Sequence, residues 1–138
     1  MQILIKGGHL IDPANKKNGQ FDLLISKGKI EAVEPEGKIK DIPDADIIDA
    51  KGAIVTPGFC DMHVHFREPG HEYKETIETG SKSAAAGGFT TVAVMPNTSP
   101  VNDNRSVTEF ILSQAKETSK INILPIGAIT KGLRGETL

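Results

Sequence analysis

The run Thr90-Thr91-Val92-Ala93-Val94-Met95 constrains the fold of this chain more than any other stretch. It is β-branched and nearly all apolar, without the alternation of a half-exposed strand, so it suits a strand covered on both faces, as in a parallel sheet. Parallel neighbours need crossovers, and the flanking segments supply them. Tyr73 to Ala86 reads as a helix, with Ile77 and Ala84 on one side and Glu75, Glu78 and Lys82 towards solvent; Gly87-Gly88 stops it. Pro96-Asn97-Thr98 closes the strand, and Ser106 to Thr118 reads as a second helix, with Val107, Phe110, Ile111 and Ala115 at helical spacing. Phe59 to Phe66 and Ile121 to Ile129 provide strands on either side. The order is strand, helix, strand, helix, strand: an α/β chain with a parallel sheet and right-handed crossovers.

The residues before this unit have a different character. Ile3 to Lys6 reads as a strand ending at Gly7-Gly8, Phe21 to Ile25 as a second and Lys29 to Val33 as a third, with brief candidates at Asp46 to Asp49 and Ala53 to Val55. Pro13, Pro35 and Pro43 fall between these runs, where they remove no ladder donor. The expectation is a small antiparallel sheet over residues 1–55, with the βαβ unit over 56–138 beginning at Thr56-Pro57-Gly58. Residues Thr130 to Leu138 read as a loop.

Composition narrows the function. At 138 residues and 38% hydrophobic content the chain can bury a core, and a net charge of −2 gives no basic footprint for nucleic acid or an anionic membrane surface. No apolar run approaches the ~20 residues that span a bilayer, and the N-terminal stretch lacks a small-residue cleavage site. The lone Cys60 cannot form an internal disulfide. These features point to a reducing cytoplasm.

The chemistry concentrates in GFCDMHVHFREPG, Gly58 to Gly70. Positions i and i+2 of a strand share a face, so His63 and His65 point together and Arg67 follows them before Pro69-Gly70 turns the chain. Paired imidazoles suit a divalent metal such as zinc, and C-terminal strand ends carry the site in parallel α/β architectures. A capped or surface histidine pair remains the alternative. Arg67 offers a planar fork for a carboxylate, or else makes a surface ion pair. Asn97, after the second strand, could donate to the same anion or could serve turn chemistry alone. Asp61 reads as a support for a histidine. Glu68 has no feature beyond its company, Cys60 reads as a packed small residue facing away from the histidines, and His9 and His71 read as exposed loop residues.

GGHLIDP, IIDAKGAIVTPGFCDMHVHFREPG and GGFTTVAVMPNTSPV together resemble the N-terminal third of the dihydroorotases, of the amidohydrolase superfamily. The resemblance implies an incomplete (β/α)8 TIM barrel, its first about three βα units, beside part of a small N-terminal β-sandwich domain. It implies that His63 and His65 ligate zinc, one or two ions, and that Arg67 and Asn97 bind the substrate carboxylate. The implied reaction is the reversible cyclisation of N-carbamoyl-L-aspartate to dihydroorotate in pyrimidine biosynthesis, the metal polarising the ring carbonyl. The implied partners are that small-molecule substrate, the remainder of a longer chain, a second copy in a homodimer, and aspartate carbamoyltransferase.

A (β/α)8 barrel needs about 250 residues. The remaining metal ligands and the general acid/base are therefore expected beyond Leu138, and no catalytic group is assigned within the chain. The expectation is a fragment, inactive and sticky alone, since a parallel sheet stopped early leaves an edge and an apolar face uncovered. Allantoinases and hydantoinases share the two histidines; Arg67 favours a substrate with a free carboxylate. A metal-free structural relative of the dihydroorotases and a short metal-binding module are the non-enzymatic alternatives.

Overall fold

The first strand runs further than its glycines suggest. In the computed structural model, which describes Met1–Leu138, β1 spans Gln2–Asp12 and passes through Gly7-Gly8 instead of ending there. A β-bulge makes this workable: the register against β2 (Lys17–Ser26) shifts between Ile5 and Gly8, and Gly7 takes a φ of +66° that favours glycine. The bulge is tied down by Asp22, fully buried, whose carboxylate accepts from the backbone N–H groups of Gly7 (2.9 Å) and Gly37 (2.7 Å). His9, expected in a turn, lies within β1, its ring nitrogen 2.8 Å from Asn18 Oδ1 on β2.

The sheet of this first unit, Met1–Pro57, is mixed rather than antiparallel. β2 pairs antiparallel with β1 and with β3 (Lys29–Pro35), but β4 (Asp46–Asp49) and β5 (Ile54–Val55) both run parallel to β1. The reason is the connection over residues 36–45: it carries the chain from β3 across to the far edge of β1, so β4 enters in the same direction as β1. Leu4, Leu10, Leu23, Leu24 and Ala50 form its buried apolar positions.

The second unit, Gly58–Leu138, holds a three-stranded parallel sheet in the order β6 (Phe59–Val64), β7 (Phe89–Val94), β8 (Asn122–Pro125). The crossovers contain α1 (Ile77–Ala86) and α2 (Arg105–Thr118). α1 starts later than its periodicity suggests because Thr76 caps it, exchanging hydrogen bonds with Thr79 in a capping box. Asn104 caps α2, its Oδ1 accepting from the N–H groups of Ser106 and Val107. β6 and β8 are shorter than expected; β6 loses register between Asp61 and Val64, and β8 ends at Pro125, which has no ladder donor.

Both helices cover one face of this sheet. Phe66, Val92, Val94 and Ile123 pack there with Ile77 of α1 and Val107 and Ile111 of α2. On the strands, Met62 is 78% and Leu124 53% exposed, and Thr91 and Ala93 only half-buried, so the β7 run is covered on one face and not on two. Right-handed crossovers explain this, since they place successive helices on the same side of a sheet whose strands progress in one direction. Phe110, expected on the buried side of α2, stands 40% exposed.

Candidate active site

The segment after β6 carries the polar groups. His63 lies within the strand and His65 just after it, and their ring centroids stand 5.2 Å apart with 64° between the planes. Asp61 accepts from the backbone N–H of His63 at 3.0 Å. It therefore supports the chain at His63 and not a histidine ring. The ring that is held is that of His65: its Nδ1 lies 2.8 Å from Oδ1 of Asn97. Periodicity does not reveal this contact, because the two residues are 32 positions apart and meet only through the pairing of β6 with β7.

Regular strand geometry ends before Arg67. Its φ is +63°, a left-handed conformation uncommon for a side-chain-bearing residue. Arg67 thus does not continue the alternation of the histidines; a turn places it, closed by the bond from His71 N–H to the Arg67 carbonyl at 2.9 Å. Its guanidinium makes none of the ion pairs in the molecule, which join Lys6 to Asp41, Lys82 to Glu78 and Arg105 to Glu109. Arg67 is half-buried and Asn97 exposed.

Neighbouring groups stitch this turn to the end of β7. The N–H of Met95 donates to the Val64 carbonyl and that of Ser99 to the Pro69 carbonyl, both at 2.9 Å. Glu68, featureless in the sequence, accepts from the N–H of Ile77 at 2.8 Å, placing a carboxylate on the first turn of α1. Gly70 N–H donates to Glu72 at 2.7 Å and holds that carboxyl below the usual carboxylate range. Asn102, 1% exposed, was also not legible beforehand: its amide donates to the Ile126 carbonyl (2.9 Å) and accepts from Thr108 (2.7 Å). It latches the segment after β7 to the end of β8. Cys60, expected to be packed, is exposed, on a strand with helices over one face only.

The donor set bears on a metal. The two imidazoles provide nitrogen ligands of the type zinc takes. The Asn97 oxygen beside Nδ1 can only accept, so the contact suits a His65 ring that donates from Nδ1 and leaves Nε2 for a ligand. No group of three or more His, Cys, Asp or Glu side chains converges. The residues present thus fit part of a metal's donor set.

Comparison with known proteins bears on the family to which the chain belongs. The dihydro-orotase-like family model matches residues 52–138. A dihydroorotase of Desulforapulum autotrophicum is 54% identical over 138 residues, covering 100% of this chain and 32% of the relative. One from Syntrophus aciditrophicus is 52% identical over 139 residues, with the same coverage of 100% and 32%. Among solved structures, the L-hydantoinase (dihydropyrimidinase) of Arthrobacter aurescens superposes with a TM-score of 0.82 at 28% identity, over 93% of this chain and 28% of that one. The likeness in sequence and in α/β fold places the chain among proteins related to cyclic amide hydrolases. Within that class, the chain belongs to the dihydro-orotase-like family. It spans about a third of the length of the curated relatives it matches.

Proposed function

We propose that this chain is the N-terminal part of a zinc-dependent dihydroorotase, comprising the first three strands of a (β/α)8 barrel and part of a β-sandwich domain. The reaction is the reversible cyclisation of N-carbamoyl-L-aspartate to dihydroorotate in the cytoplasm. The observation that carries this reading is an arginine in a left-handed turn, with no carboxylate partner, directly after two adjacent imidazoles. The guanidinium of Arg67 grips the substrate carboxylate in a bidentate fork. Asn97 donates to the same carboxylate through Nδ2, which has no protein partner. His63 and His65 hold the metal, which when bound supplies Lewis-acid polarisation of the ring amide. The general acid/base falls to residues outside these 138, so the chain alone has no turnover.

The likeness to an L-hydantoinase favours a second reading, a cyclic amidohydrolase for substrates without a carboxylate. Assay of the complete polypeptide carrying this segment against dihydroorotate, allantoin and dihydrouracil separates the two. Zinc-dependent turnover of dihydroorotate is expected. Preference for either neutral substrate would reverse the assignment, and no turnover of any would favour a structural role beside aspartate carbamoyltransferase.

A further inference from the structure

We propose that Asn97 positions His65 as well as contacting substrate, so that one amide links the metal position to the carboxylate position. The substrate half rests on the dihydroorotase reading; the His65 half does not. The Asn97 oxygen lies 2.8 Å from His65 Nδ1. An amide oxygen only accepts, so this bond selects the tautomer protonated at Nδ1 and presents Nε2 as the free lone pair. Ligating imidazoles hold their second ring nitrogen on an acceptor in this way, which fixes ring orientation and raises basicity.

The amide is planar, so seating its oxygen on His65 also fixes where its Nδ2 donors point. The backbone on either side is itself held. Pro96 and Thr98 are buried, Thr98 Oγ1 donates to the Pro100 carbonyl at 2.7 Å, and Ser99 N–H donates to the Pro69 carbonyl at 2.9 Å. The segment that carries Asn97 is therefore tied, through Ser99, to the turn that follows Arg67. Loss of the oxygen frees the ring; loss of the nitrogen frees only the substrate.

The chain has four histidines, so histidine-selective 15N labelling can resolve each ring. His65 is expected to carry a proton on Nδ1 in the unaltered chain and in Asn97→Asp, which keeps an acceptor. In Asn97→Ala the tautomers mix. Zinc affinity, read by competition with a chromophoric chelator, is expected to fall about tenfold or more in Asn97→Ala and to hold in Asn97→Asp. An unchanged tautomer or unchanged zinc affinity in Asn97→Ala would overturn the proposal. In the complete polypeptide, Asn97→Asp is expected to raise the KM for dihydroorotate while zinc content holds; a KM left unchanged would remove the substrate half. If the unaltered polypeptide does not turn over dihydroorotate, the functional reading fails while the tautomer and zinc results stand on their own.

Discussion

A Cβ placed on Gly70 would stand 2.0 Å from the carbonyl oxygen of Ser99, so the turn after β6 and the loop after β7 touch backbone to backbone. Gly70 also takes a φ of +93°. Gly70→Ala therefore meets two penalties, a backbone conformation costing about 1–3 kcal/mol and a clash that backbone cannot swing away from. Thermal unfolding should show a lowered midpoint for the Gly58–Leu138 unit, and the amide resonance of Ser99 should move as its bond to Pro69 lengthens. An unchanged midpoint would show that the two segments are not in contact.

Glu68 should act as a helix cap at a distance. Its carboxylate holds the first N–H of α1, and such caps are worth about 0.5–2 kcal/mol. Glu68→Ala is expected to lose that amount and Glu68→Gln less, since the amide still offers an oxygen. Faster hydrogen exchange at the Ile77 amide would locate the loss at the start of α1.

The two faces of the helical layer should respond unequally. Ile77 is fully buried against the sheet, and Ile77→Ala should cost about 2–5 kcal/mol through the cavity it leaves. Phe110 is 40% exposed, and Phe110→Ala should cost about 1 kcal/mol or less despite its larger side chain. Urea titration of the two variants tests the ranking, and a larger loss at Phe110 would reverse the burial described for α2.

Asp103 gives a pH dependence of definite sign. Its carboxylate accepts from Gly132 N–H at 2.8 Å and from the Asn104 amide at 2.9 Å, and these bonds, the Gly132 one foremost, lower its pKa. A group with a depressed folded pKa contributes above the unfolded value of about 3.9 and loses that contribution as pH falls through the folded value. The Gly132 amide should therefore keep its shift down to the ordinary carboxylate range and titrate only below it. Asp103→Ala should remove the titration; a Gly132 midpoint above about 4 would contradict the assignment.

Much of the parallel unit was legible in local pattern. The apolar β7 run, the glycine stop at Gly87-Gly88 and the spacing of Val107 and Ile111 each encode a period or a break that survives in the fold. The paired histidines and Arg67 stood out as candidate site residues because rare residue types cluster in one short stretch. The likeness to the dihydroorotases was carried by those same residues, and the family match followed it.

What lay outside the reach of pattern was everything that needs two distant segments to meet. The bulge that carries β1 past Gly7-Gly8 depends on Asp22, 15 positions away. The parallel entry of β4 depends on a crossing connection with no period of its own. The left-handed turn at Arg67, the Asn97 oxygen on His65 and the cap from Glu68 depend on how the ends of β6 and β7 and the start of α1 come together. Sequence alone determined which side chains are present and which elements form, because periodicity and residue chemistry are local. The tertiary structure alone decided which atom of each side chain faces which partner, because a hydrogen bond is fixed to fractions of an ångström by backbones far apart in the chain.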